Sequence, residues 1–397
     1  MFEQARHVPL RPLPWNAGEA QAAIEDIIGD ALAHFDGERF WPAHPLDENV
    51  SDGHTSLYLG ATGMIWALDY LGRVGATTQC TDFRLIVPSL ITANAAEFML
   101  ENYQEYAAHG SFLVGDMGTG LVAMRLTPSA SIADLVFARA DANSSLPIRE
   151  LMWGMPGSML ACIHMAKMTN EPRWRALFAA QTARLLSELE ETDFGPLWVQ
   201  DLYGNRYRWL GPVHGYAGNM IPLLHGWDWL TDDQRARVAD AIPRTLSLTA
   251  WRSEQGANWR AVASLDAPPK MCQHCHGASG MVTTFADAPL VSRELDSLMM
   301  EGGRLAWAAG PLAKGSGLCH GTGGNGYAFL KLHRRTGDAI WLDRARSFAM
   351  TAIAQAREAR VHFGRGRYTL WTGDIGLAIY VWDCLTAQPF FPTIDVF

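Results

Sequence analysis

Two cysteines stand in nearly the same setting in this chain: Cys275 in MCQHCHGASGM and Cys319 in GLCHGTGGNGYAF, each followed by His and Gly. Thiolates and imidazoles are soft donors that suit Zn²⁺. Three protein donors with an exchangeable fourth position are the arrangement of a catalytic zinc, not a structural one. Two Cys and one His from these segments could therefore hold one zinc ion per chain. Other readings of the same residues stay open at this point. Cys272 and Cys275 form a C-x-x-C that could be a redox pair, although the strand–helix context of such motifs is missing. His276 could close the site as a fourth ligand, and His274 could be a further ligand or a cap. His214, in PVHGYAGN, precedes Gly215 as His276 and His320 precede Gly277 and Gly321. Imidazole titrates near neutral pH, so His214 is a candidate general acid or base, with a hydrogen-bonded structural role as the alternative. Cys80, Cys162 and Cys384 read as small buried hydrophobes.

The elements that must position these residues are marked by glycine. Gly-x-x-Gly recurs as Gly60/Gly63, Gly115/Gly118, Gly154/Gly157, Gly215/Gly218, Gly277/Gly280, Gly321/Gly324 and Gly373/Gly376. Composition alone gives about three or four such pairs, so the count carries less than the context. Each pair runs into an apolar stretch, such as MIWALDYL, SMLACIHMA or LAIYVWDCL. Between pairs lie segments of helical spacing and mixed charge, including 171–191 and 339–360, where Ile340, Ala345, Phe348, Ala352 and Ala356 can share one face. Asp232 and Asp233 suit a helix N-terminus. Each unit thus reads as an amphipathic outer helix, a loop, and an apolar inner helix opened by the glycine pair. Strands should be minor. Seven such helical hairpins closing into a double-layered ring give an all-α fold, an α/α toroid. In a ring, equivalent positions of neighbouring units meet at one mouth. The expected organisation is one domain over 1–397, with 1–50 an N-terminal segment leading into the first repeat.

Composition narrows the function classes. The 397 residues are 48% hydrophobic and 18% charged with formal net charge −9, and no cluster of Lys and Arg offers an electrostatic footprint for nucleic acid. The same charge disfavours anionic membranes. No apolar run is long enough for a transmembrane helix, and the start lacks the apolar core of a signal peptide. A cytoplasmic location follows as the expectation. A carbohydrate-active toroid would need paired acids at the mouth, whereas Glu150, Asp116 and Asp374 are scattered.

With these motifs in order, the sequence resembles the lanthionine synthetase C (LanC) family over nearly its whole length. CHGASG, KGSGLCHGTGGNGYAFL, SFLVGDMGTG and ELMWGMPG carry the resemblance beside the seven glycine pairs. It implies an α/α toroid, a single zinc held by Cys275, Cys319 and His320, and His214 as the proton donor or acceptor. The implied chemistry is conjugate addition of a thiol to dehydroalanine or dehydrobutyrine in peptides or proteins. Glu150 stands where the bacterial cyclases of the family carry Asp, and Met271 stands where they carry Arg. The longest repeat interval, 62 residues, leaves no room for the small β-rich domain those cyclases insert. The chain thus looks closer to the eukaryotic LanC-like branch. Lys314, five residues ahead of Cys319, matches a lysine that this branch associates with glutathione. Glutathione is then the expected thiol; a lanthipeptide cyclase and a non-catalytic scaffold with structural zinc are the alternatives.

Overall fold

The computed structural model describes residues 1–47, 53–100, 110–202 and 204–397, with side chains described outside 98–100. Helices dominate these residues. Seven inner helices open directly after the first glycine of each pair: α2 (Ala61–Arg73), α4 (Asp116–Leu126), α6 (Met155–Thr169), α8 (Tyr216–His225), α10 (Ala278–Phe285), α12 (Thr322–Thr336) and α14 (Asp374–Thr386). Seven others alternate with them: α1 (Ala17–Ala33), α3 (Val87–Leu100), α5 (Ala130–Asn143), α7 (Pro172–Ser187), α9 (Asp232–Thr249), α11 (Arg293–Ala309) and α13 (Ala339–Phe363). Inner helices touch in cyclic order, α2 to α4 and onward to α14, which returns to α2. This is the expected double-layered ring.

The packed hairpins run from an inner helix to the outer helix after it, as α4 with α5, α6 with α7 and α12 with α13. The last inner helix, α14, takes as its outer partner α1, the first helix of the chain. The N-terminal segment expected to lead into the repeats thus closes the ring; its residues 48–50 lie outside the described set. Outer helices bury one stripe, as in α11 with Leu295, Leu298, Met299, Gly302, Leu305, Ala306 and Ala309, the i, i+3, i+4 pattern of a core-facing surface. Thr231 and Gln234 form a capping box that flanks Asp232 and Asp233 at the start of α9. Among the described residues the sheet structure is two short antiparallel hairpins, β1 (Gln200–Leu202) with β2 (Asn205–Tyr207) and β3 (Ala250–Ser253) with β4 (Gly256–Trp259).

Two sequence expectations are corrected. Ile340 is exposed, because Trp341 and Ala345, one turn apart, take the buried face of α13. Cys80 is exposed in the loop after α2, whereas Cys162 and Cys384 are buried as expected.

The glycine pairs have one physical cause. The loop before each inner helix folds back so tightly that a Cβ on the second glycine would lie 2.3 Å from Leu57 O at Gly63, 1.8 Å from His274 O at Gly280 and 1.6 Å from Leu318 O at Gly324. The carbonyl in each case belongs to the residue six positions back. This fold-back replaces side-chain caps. The amides of Tyr216, Ala217 and Gly218 bond the carbonyls of Trp209, Leu210 and Gly211, and Thr322, Gly323 and Gly324 bond Gly315, Ser316 and Gly317. The donors that a helix start leaves unpaired are thereby satisfied by backbone.

The C-terminal tail packs inside the ring, against both inner helices and fold-back loops. Phe397 packs near Trp66, Phe112 and His164, and Phe391 stacks on His274 at 4.3 Å. Lys331, buried on α12, bonds Asp287 and, at 2.6 Å, Asp395 of the tail. A cavity of about 380 Å³ lies beside this cluster, with His274 and Trp371 in its wall. No helix among the described residues is long and apolar enough to cross a membrane.

Candidate metal and acid–base site

The seven fold-back loops gather at one end of the ring and are stitched to one another. Positions two residues ahead of each first glycine are Tyr58, Leu113, Met152, Val213, Cys275, Cys319 and Trp371. Tyr58 N bonds Leu113 O at 2.8 Å, Cys275 N bonds Cys319 O at 3.3 Å, Cys319 N bonds Trp371 O at 2.8 Å, and Trp371 N bonds Tyr58 O at 3.2 Å. The register that puts Cys275 and Cys319 at equivalent repeat positions therefore also puts them side by side.

Two asparagines fix the fifth loop. Asn258 on β4 donates to Met271 O at 3.0 Å and accepts from Ala278 N at 2.7 Å, capping α10. Gly277 has φ of +112° there, a conformation that favours glycine. Asn325 on α12 donates to Cys272 O at 2.8 Å, tying the fifth loop to the sixth repeat.

Cys275 Sγ and Cys319 Sγ, with a ring nitrogen of His320, all lie within 4.8 Å of one another. The chemistry and spacing of this donor set fit zinc. Metal–sulfur and metal–nitrogen distances of about 2.3 and 2.1 Å at a tetrahedral angle separate the two donors by about 3.6 Å, and Cys319 Sγ stands 3.6 Å from His320 Nε2. Both cysteines are buried and His320 is partly exposed, leaving an open side. Burial raises the Cys275 thiol, but hydrogen bonds from Cys319 and His320 outweigh it and hold Cys275 well below the usual thiol range. Burial pushes Cys319 well above that range, and neighbouring Cys275 adds to the shift.

Cys272, His274 and His276 lie outside this cluster. Cys272 is a free thiol 3.8 Å from Ser279 Oγ. His274 turns inward onto Phe391, and burial lowers its pKa to about 4. His276 packs against Trp209 with ring centroids 5.9 Å apart, and its Nδ1 has no hydrogen-bond partner among the described residues.

His214 and Glu150 come from different repeats and meet. His214 Nδ1 donates to Glu150 Oε2 at 2.8 Å. The Glu150 carboxylate is fully buried and also accepts from Met152 N at 3.1 Å and from Trp153 N. In the equivalent place, four residues before the first glycine, Ser56 and Ser111 accept from the amides of Leu59 and Val114. Glu150 performs that turn-closing role with a longer side chain that reaches the next repeat. Because a carboxylate only accepts, the pairing places the proton of neutral His214 on Nδ1. His214 is also close enough to His276 to influence its charge, which puts it beside the fifth loop. Lys314 is exposed on the sixth loop, within electrostatic reach of Cys319.

Two contacts to the sulfurs escaped the sequence reading. Gln273 Nε2 donates to Cys275 Sγ at 2.9 Å, and the buried Tyr58 side chain lies close enough to Cys319 to act on its charge. The signal available for Tyr58 was its repeat position, shared with both cysteines.

Residues 51–395 match the family of lanthionine synthetase C-like proteins. By sequence, the chain is 43% identical over 154 residues to the LanC-like protein GCL1 of Arabidopsis thaliana, covering 38% of this chain and 34% of the relative. It is 25% identical over 255 residues to the glutathione S-transferase LANCL1 of Danio rerio, covering 62% of each. These matches span about a third and just under two thirds of the relatives' own lengths. Among solved structures, nisin cyclase superposes with a TM-score of 0.55 at 13% identity, over 92% of this chain and 98% of that one. That similarity shows a shared fold.

Proposed function

The chain belongs to the lanthionine synthetase C-like family, and from that premise we propose that it is a zinc-dependent enzyme adding a thiol, glutathione foremost, to dehydroalanine or dehydrobutyrine residues of peptides or proteins. The observation that carries this reading is the meeting of two thiols and an imidazole within 4.8 Å. A zinc ion there would be held by Cys275, Cys319 and His320, and when bound it would keep a coordinated substrate thiol ionised at neutral pH. His320, partly exposed beside the two buried cysteines, faces the side from which that thiol enters.

The acid–base work falls to His214. Attack of the sulfur on the alkene β-carbon forms the C–S bond and moves the π electrons onto the adjacent carbonyl as an enolate. Imidazolium at His214, with its Nδ1 held by Glu150, stabilises that negative charge and delivers a proton from Nε2 to the α-carbon. The thiol proton lost to solvent balances the proton gained at carbon. Glu150 acts through His214 and is a positioning residue. Lys314 at the rim would pair with a glutathione carboxylate as a point charge. Support for glutathione over a cysteine of the same peptide comes from Glu150 and Met271, which depart from the cyclase pattern, and from the name of the Danio rerio relative.

The test is mass spectrometry of a dehydroalanine peptide incubated with glutathione and zinc-loaded protein. A mass gain of one glutathione is expected, and His214→Asn should abolish it while zinc stays bound. A lanthionine ring formed only in a dehydrated, cysteine-containing peptide would transfer the reading to a cyclase. Neither product, with zinc present, would leave a non-catalytic scaffold. Unchanged addition by His214→Asn would overturn the acid–base assignment.

A further inference from the structure

The two sulfurs at the ring mouth differ from an ordinary pair of buried thiols in that each has a neutral polar side chain beside it, Gln273 at Cys275 and Tyr58 at Cys319. Gln273 Nε2 lies 2.9 Å from Cys275 Sγ, and Gln273 is only 7% exposed. Its backbone amide bonds His276 O at 3.0 Å, so the turn 273–276 is closed around Cys275. The buried Tyr58 side chain, from the first repeat and almost at the opposite end of the chain, lies close enough to Cys319 to act on its charge. Its ring is stacked on Trp371 at 5.5 Å with an interplanar angle of 25°. Its backbone is held on both sides, by Leu113 and by Trp371. These donors are therefore fixed by packing before any metal binds.

Charge makes their purpose specific. Two thiolates and a neutral imidazole around a dication give a neutral centre, and a third thiolate makes it net negative in a largely buried place. A hydrogen bond to a thiolate sulfur withdraws electron density from it. Gln273 and Tyr58 bring donor dipoles without bringing a positive charge that would itself capture the incoming thiolate. We propose that Gln273 and Tyr58 are positioning residues which, by donating to Cys275 Sγ and Cys319 Sγ, weaken the electron donation of those sulfurs to the metal and so offset the charge of the substrate thiolate. This rests on the zinc reading above.

The test uses the full chain with Gln273→Met and Tyr58→Phe, each of which removes a donor and keeps the bulk. Zinc affinity by chelator competition at neutral pH should fall about 10- to 100-fold in each variant, because a buried sulfur that loses its donor holds its proton more tightly against the metal. In cobalt-substituted protein, the sulfur-to-cobalt charge-transfer band should move to longer wavelength, since a sulfur without its donor is more easily oxidised. A purely structural role would lower thermal stability without moving that band. If wild type binds cobalt and both variants keep its band and its affinity, the proposal is overturned and the zinc reading stands. If wild type itself binds neither zinc nor cobalt, the zinc reading fails, and the proposal with it.

Discussion

Replacing Glu150 by Gln keeps the shape of the side chain and changes what it can accept. The carboxylate takes three donors, Met152 N, Trp153 N and His214 Nδ1. A carboxamide has one acceptor oxygen, and its NH₂ must face either Trp153 N or the Met152–His214 side. The orientation that keeps Trp153 paired turns the NH₂ towards His214. The imidazole then accepts at Nδ1 and carries its proton on Nε2, and its protonated form loses its counter-charge. Losing a charged hydrogen bond costs about 1.5–3 kcal/mol, which is about 10- to 150-fold in rate. The wrong tautomer pushes further, towards the roughly 10⁴-fold loss that follows a carboxylate-to-amide change behind a catalytic histidine. Thiol addition to a dehydroalanine peptide should therefore slow by about 10²–10⁴ in kcat/KM. Zinc should stay bound, because Glu150 touches none of the three candidate ligands. Activity within threefold of wild type across the pH range would refute the dyad. Loss of zinc would place Glu150 in the metal centre instead.

Other consequences follow from packing and burial. Gly324→Ala drives a Cβ to within 1.6 Å of Leu318 O, beside Cys319, and should cost about 3 kcal/mol or more in denaturant unfolding. Gly72→Ala on α2 meets open space and should stabilise by about 0.5–1 kcal/mol; equal effects at the two sites would contradict the steric origin of the glycine pairs. Lys331→Met leaves Asp287 and Asp395 without their buried partner, at an expected cost of about 3–5 kcal/mol, and a loss under about 1 kcal/mol would show that the cluster does not anchor the tail. Asp374 is buried and its pKa is raised to about 6. The stability it contributes is present below its unfolded value and lost as pH rises through about 6. Asp374→Asn should thus gain on wild type between about pH 4 and 6, by up to about 3 kcal/mol, as followed by urea unfolding at a series of pH values.

What was legible in the sequence is what the repeat register fixes. Each glycine pair marks a helix start because a backbone carbonyl occupies the space of a side chain there. A residue at a fixed offset from the pair therefore faces the same mouth in every repeat, which is why Cys275 and Cys319 could be matched without coordinates. Contacts that join distant repeats through side-chain length were out of reach. Tyr58 shares the offset of the cysteines but lies 261 positions from Cys319, and its reach depends on ring closure by α14. Gln273 sits among candidate ligands and contributes only its amide. The pairing of α1 with α14 is likewise invisible to local periodicity, since neither helix differs in pattern from one paired with its neighbour. Ile340 failed because it stands five positions before Ala345, off the helical stripe, and Trp341, one turn before Ala345, took the buried face.

Metal analysis of the purified chain bears most directly on the three-donor centre formed by the fifth and sixth loops. Wild-type protein should carry one zinc per chain, and Cys275→Ala and Cys319→Ala should each carry almost none while keeping the helical circular-dichroism spectrum of the ring. Wild-type protein that takes up no zinc, or full occupancy in either alanine variant, would contradict the assignment.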